Sequence, residues 1–249
     1  LGRPAPERVK MVAFETDNTI TNTGKTAWTK ETGLLSIWIL GMFNASPDTT
    51  IVLPFEPGPE AERGIKVNDN YFGKVPPERL VVEDDVLFFN GDAKWRSKIG
   101  LSPKRAKSIL GSYDAANHVL TLVQFTLPKG EAEYVNSMWE MQEDPFAGDV
   151  SNSYNDGPLA PDGGQLGAFY ELETSSPAAA LAPNASRATV PFAVAMPSTA
   201  VGRMPSVTWR WAQSNACENC SVITRPHVRD RGARGSAPWH RLSLRVRRS

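Results

Sequence analysis

Residues 168–183 read AFYELETSSPAAALAP, and this stretch decides how the chain is read. A short β-type run, Phe169, Tyr170 and Leu172, sets Glu171 and Glu173 one pleat apart. Side chains at i and i+2 share one face of a strand, so both carboxylates point the same way. Thr174, Ser175 and Ser176 follow, and Pro177 ends the run. A carboxylate at a strand end beside hydroxyls suits a general base that acts on a polyol. The plainer reading is a pair of solvated glutamates on an exposed face.

Outward from this stretch the chain continues in short strands and turns. Lys10 to Ile20 is rich in β-branched and aromatic residues and ends in the turn cluster Thr21-Asn22-Thr23-Gly24. Strands are expected at 34–43, 49–55, 79–82, 86–89, 108–113, 119–125, 134–140 and 168–174. The pair 108–113 and 119–125 forms a hairpin across Asp114-Ala115-Ala116-Asn117. Loops rich in Gly, Pro and Asp separate the strands at 56–64 and 156–166, and no window carries a long amphipathic helix. Many short strands between turn signals imply an all-β, antiparallel sandwich.

The chain has 249 residues, of which 41% are hydrophobic, an ordinary content for a globular protein. It has no run of 18 apolar residues, so no membrane-spanning helix is expected. A formal net charge of +0 conceals a split. Residues 1–190 carry 17 basic and 25 acidic side chains, whereas 191–249 carry 10 basic and 2 acidic ones. All ten basic residues of the second part are arginine, among them Arg203, Arg210 and Arg225. Arginine without lysine reads as an out-of-frame translation of GC-rich DNA, giving an irregular tail whose removal after Thr189 leaves stability unchanged. The other reading is a basic arm that binds nucleic acid non-specifically.

Several segments together resemble one uncharacterised bacterial family with a galactose-mutarotase-like (aldose 1-epimerase superfamily) β-super-sandwich. They are FETDNTITNTGKTAWTKETGLLSIWILGMFN (14–44), VNDNYFGKVP (67–76), SKIGLSPKRAKSILGSYD (97–114), YVNSMWE (134–140) and NSYNDGP (152–158). Leu172-Glu173-Thr174, followed by Pro177 and Leu181-Ala182-Pro183-Asn184, is similar to the late segment of that superfamily, where a Leu-Glu-Pro-type strand carries the catalytic glutamate. The resemblance covers residues 9–189 and implies Glu173 as general base. It also implies that the chain, which starts at Leu1, holds only the C-terminal part of the fold. A bacterial periplasmic or secreted setting is implied too, although LGRPAPERVK is no signal peptide.

Mutarotation needs an acid as well as a base. The three histidines, His118, His227 and His240, stand in no site-like motif, so the acid is expected from Asp156, from Tyr154 or from the N-terminal half of the fold that the resemblance implies is missing. Asn152-Ser153-Tyr154-Asn155-Asp156-Gly157 is dense in groups that hydrogen-bond hydroxyls; it also reads as an Asx-rich turn. Trp28 and Trp139 are candidates to stack on a sugar, Asn155 and Glu171 to orient it. Lys94, Arg96, Lys98, Lys104, Arg105 and Lys107 form a basic cluster suited to uronate or sulfate groups, with Arg105 the chosen contact, or else a solvated loop.

No cofactor is expected. Calcium is open to Asp69, Glu140, Glu143, Asp144 and Asp149, but none of them follows the EF-hand pattern. Cys217-Glu218-Asn219-Cys220 has neither a second CxxC nor zinc-finger spacing to a histidine. The expected function is therefore carbohydrate recognition by a small sugar or oligosaccharide site, with chemistry at the anomeric centre. The alternatives are a non-catalytic glycan-binding or scaffold protein, or a glycoside hydrolase with two carboxylates ~5–9 Å apart.

Overall fold

The computed structural model describes residues 10–160, 163–198, 221–226 and 243–248. Within these residues the protein is an antiparallel β-sandwich with one short helix, as expected. The strands of the first sheet are β1 (Lys10–Thr21), β3 (Thr49–Pro54), β4 (Leu80–Val82), β5 (Val86–Asn90), β7 (Ile109–Asp114), β8 (Val119–Gln124), β11 (Ser186–Ser198) and β13 (Ser243–Arg248). They lie in the order β13-β1-β11-β8-β7-β3-β5-β4. The second sheet contains β2 (Ile37–Asn44), β6 (Ser97–Leu101), β9 (Ser151–Asn155), β10 (Phe169–Ser175) and β12 (Ser221–Pro226), in the order β12-β2-β10-β9-β6. The helix α1 spans Glu60–Arg63.

Alternation builds the core. Ile37, Ile39 and Phe43 on β2, Tyr170 and Leu172 on β10, and Ile99 and Leu101 on β6 point inward. They meet Ile51, Leu53, Leu87, Phe89, Leu110 and Val123 from the first sheet. The Phe43 and Tyr170 rings stack at 5.5 Å, and the Tyr170 hydroxyl reaches across the sandwich to Ser112 Oγ at 2.7 Å. The expected hairpin is present as β7 and β8, with Asp114 accepting from the backbone N–H groups of Ala116 and Asn117 at the turn.

Two strands, β6 and β9, arise where basic-cluster and Asx-turn readings had been the expectation. Conversely, 134–140 is a loop: Tyr134 makes only an isolated bridge to Ala147, and Met141 stands 94% exposed. Tyr134 is buried and Trp139 exposed, and among the described residues no strand pairs along the run. The boundary expected at 190/191 falls inside β11, which pairs with β1 and β8 as far as Ser198. In the arginine-rich part, 221–226 and 243–248 are strands too. The CxxC of Cys217 and Cys220, with His227 and His240, lies outside the described residues.

Candidate functional site

The outward face of the second sheet carries the candidate site. Register puts Glu173 opposite Leu40 and Asn152, and Asn152 opposite Gly100. The next row holds Met42, Glu171, Tyr154 and Lys98. Opposed residues in a pleated sheet point to the same side, so these side chains share one surface. Two loops close over part of it. The segment around Asn68 bonds to β6 by a two-way backbone bridge with Gly100 (2.8 and 2.9 Å), which brings Tyr71 and Phe72 over the sheet. The segment before β9 brings in Asp149.

Glu173 is wholly buried (0% exposed), and its Oε2 accepts from both Lys98 Nζ and Trp38 Nε1 at 2.7 Å. The Lys98 ammonium sits between two rings, 4.8 Å from Trp38 and 5.1 Å from Tyr71. This aromatic box offsets part of the desolvation of the cation. Glu173 Oε1 is a buried acceptor without a donor. Such an orphan costs free energy, and it marks a place where a proton or ligand donor fits.

Glu171 is the neighbouring carboxyl on the same face. Burial first, then the charge of Glu173, pushes its carboxyl up to about 8. Two carboxyls one pleat apart in a dry site share the acid burden: one holds its proton and the other stays charged. Glu171 is also the more reachable of the two, at 8% exposed.

Polar scaffolding surrounds the pair. Tyr71 donates to Asp149 Oδ2 at 2.7 Å, and Asn68 Nδ2 reaches the same oxygen at 3.0 Å. Asn152 Nδ2 donates to the Tyr71 hydroxyl at 2.9 Å. Burial raises both Asp149 and Tyr71 above their ordinary values. Gly100 makes this packing possible: a Cβ there would stand 2.2 Å from Asp149 Oδ2 and 2.5 Å from Asn152 Nδ2. On the other flank Tyr154 donates to Asp156 Oδ1 at 2.6 Å, while Asp156 Oδ2 accepts from the Gly167 N–H at 2.8 Å. Burial pushes the Tyr154 hydroxyl up to about 12, so at neutral pH it serves as a hydrogen-bond donor.

Of the residues expected from sequence, Glu171, Glu173, Tyr154 and Asp156 therefore come together. Trp139 stands at the rim, 76% exposed, edge-on to Phe72 at 6.3 Å; Phe72 in turn packs edge-on to Tyr154 at 5.7 Å. Asn155 faces the other way. Its amide holds the 92–95 loop through the Ala93 N–H and the Trp95 carbonyl, each at 2.9 Å. Trp28 is half-buried and packs on the core. Arg105 is wholly buried, and its guanidinium donates to the carbonyls of Glu56, Gly58 and Gly64, which makes it a clamp on that loop.

Sequence reasoning does not single out Trp38, Tyr71 or Asn68, and it places Lys98 in a basic cluster suited to uronate or sulfate groups or else in a solvated loop. No spacing rule links these residues, because 135 positions separate Trp38 from Glu173. Among the described residues, no three His, Cys, Asp or Glu side chains gather as a metal centre would need. A separate cleft of about 480 Å³ lies against Ile37, Ile39, Thr174 and Ser176, on the opposite face of β2 and β10 from the glutamates. Among the described residues no helix is long and apolar enough to cross a membrane.

No curated protein and no solved structure matches the chain. A family model does match, over residues 1–191, and so covers most of the sandwich, including every side chain of the site. By that match the chain belongs to a family of unknown function, DUF6786.

Proposed function

We propose that the outward face of the second sheet binds a sugar and moves a proton at its anomeric centre, as an aldose 1-epimerase does. The observation that carries this reading is the buried pair Glu171 and Glu173, one pleat apart on the same face, with Glu173 tied to Lys98. The likeness of Leu172-Glu173-Thr174 to the catalytic strand of the mutarotase superfamily agrees with it.

Geometry favours Glu171 over Glu173 as the group that meets the sugar. Glu173 is fully enclosed and held by Trp38 and Lys98. A neutral carboxylic acid carries both functions that mutarotation needs. Its O–H protonates the ring oxygen O5 while its carbonyl oxygen takes the proton of the C1 hydroxyl. The C1–O5 bond breaks, a C1 aldehyde forms, and the acid is regenerated. Rotation about the C1–C2 bond and reversal of the same transfers give the other anomer. Glu173, charged and paired with Lys98, keeps the proton on Glu171. Trp139, exposed at the rim, offers an apolar face.

The test is anomer exchange of a panel of aldoses, followed by polarimetry or exchange NMR. Glu171→Gln should lower the enzyme-dependent rate by about 10²–10⁴-fold, the usual contribution of a positioned acid–base group. In the parent, activity should fall as pH rises through the region near 8 where Glu171 loses its proton. Glu173→Gln removes the neighbouring charge, so this alkaline limb should move to lower pH. Sugar binding without any turnover would leave a glycan-binding protein. An unchanged rate in Glu171→Gln would end the catalytic reading.

A further inference from the structure

We propose that the sugar taken by this site is a uronate, and that Arg96 is the receptor for its carboxylate. This inference rests on the sugar-site reading above and names the substrate class.

Arg96 immediately precedes β6, two residues before Lys98, and its Nε reaches Tyr154 on the face of the glutamate pair. It is half-buried, and its guanidinium lies flat against Phe72 at 4.1 Å from the ring centroid. Its Nε donates to the Tyr154 hydroxyl at 3.3 Å. The backbone beneath it is fixed as well: a Cβ on Gly157 would stand 2.4 Å from Arg96 N. Stacking and the Nε bond orient the fork. Among the described residues, no carboxylate lies within ion-pair reach of Arg96, and its terminal nitrogens make no hydrogen bond. The nearest acid in the network, Asp156, is one hydroxyl away through Tyr154.

An oriented guanidinium without an ion-pair carboxylate, beside the polar face of the glutamate pair, matches a planar, two-oxygen anion. Of the other charged groups of the site, Asp156 is held by the Tyr154 hydroxyl and the Gly167 N–H. Lys98 and Glu173 neutralise each other, and Glu171 holds its proton at neutral pH. Phe72 packs against both the guanidinium and the exposed Trp139 ring, so the anion receptor and the stacking ring flank one aromatic side chain.

The test is calorimetry or saturation-transfer NMR on the whole chain. The probes are D-galacturonate and D-glucuronate, with D-galactose, D-glucose, methyl galacturonate ester and glucose 6-phosphate for comparison. The uronates should bind about 10- to 100-fold more tightly than the neutral sugars and the ester. Arg96→Met, which keeps an apolar stem over Phe72, should erase that preference while neutral-sugar binding and the thermal transition persist. Arg96→Lys should keep part of it, and exposed Lys94→Ala all of it. Equal affinity for uronates and neutral sugars would overturn the inference and leave the sugar site standing. Tighter binding of glucose 6-phosphate than of either uronate would overturn the carboxylate assignment. No binding of any sugar would overturn both readings.

Discussion

The two faces of the second sheet are built by the same residues in alternation, yet they obey different rules. Inward, β10 shows Tyr170 and Leu172 to an apolar core; outward it shows Glu171 and Glu173. Both faces are buried. The inward face is stabilised by the removal of apolar area from water, a gain that needs no partner geometry. The outward face holds two cations, Lys98 and Arg96, four carboxyl groups and two tyrosines, Tyr71 and Tyr154, and leaves Glu173 Oε1 without a donor. Burial of that kind is unfavourable unless every charge is matched, so a fold alone has no reason to keep it. The contrast sets an apolar core on one side of the strands and a buried polar network on the other.

The sharpest way to break this comparison is to strand a charge. Lys98→Met removes the only ion-pair partner of a wholly buried Glu173 among the described residues. Loss of one member of a buried pair typically costs about 3–5 kcal/mol. The double variant Lys98→Met with Glu173→Leu should recover most of this, because an apolar pair of similar size needs no compensation. Chemical denaturation of the parent, both singles and the double measures it. If the double variant were as unstable as Lys98→Met, the pair would be structural and the outward face would resemble the inward one.

On the other side of the same strand, Leu172→Ala should cost about 2–5 kcal/mol, since the side chain is fully enclosed by core residues. The change leaves every outward group in place. The pH dependence of anomer exchange should therefore keep its midpoint in the folded variant. A shifted midpoint would mean that the two faces are coupled through the strand.

How much of this was legible in the sequence differs between the two faces for the same physical reason. Strands β2, β3, β5, β7, β8 and β10 show apolar residues at alternate positions, and the sequence pattern located each within a few residues. Ser97-Lys98-Ile99-Gly100-Leu101 and Ser151-Asn152-Ser153-Tyr154-Asn155 were missed as strands. Their outward positions hold site groups, and on β9 even the inward positions are polar and buried. Periodic patterning reports burial by hydrophobicity, and a buried polar face escapes it. The glutamate pair was visible because both members lie on one strand. Lys98, Trp38 and Tyr71 reach it only through cross-strand register and a loop bridge, which a one-dimensional pattern does not encode. Part of the expected basic cluster did belong to the site, through Arg96 and Lys98, whereas Arg105 went to a backbone clamp.

A smaller effect tests the packing that lets the outward face stay dry. Gly100→Ala would place a methyl group where Asp149 and Asn152 now approach. Overpacking of this kind costs about 1–3 kcal/mol. The displaced atoms belong to the Asp149, Tyr71 and Asn152 network, so the disturbance should appear as shifted NMR resonances there before those of Leu172 or Ile99. Perturbation that starts in the core would contradict the division of the sheet.

The smallest effect is the most specific. Glu171 has a folded-state pKa raised above the ordinary 4.5 to about 8. A raised carboxyl binds its proton more firmly in the folded protein than in the unfolded chain. Its contribution is fully favourable below the unfolded value and is lost as pH rises through the folded one. Parent stability should therefore decline relative to Glu171→Gln between about pH 4.5 and 8, then run parallel to it at higher pH. Glutamine keeps the shape and has no proton to lose, so the variant should melt close to the parent at pH 4.5 and a few degrees above it at pH 9. In a Glu173→Gln background the same comparison should give a smaller gap, because one cause of the shift has been removed. Thermal melts of the four proteins across this range decide it. A gap that did not change with pH would mean that Glu171 titrates like a solvated glutamate, and the outward face would lose its distinction from an ordinary surface.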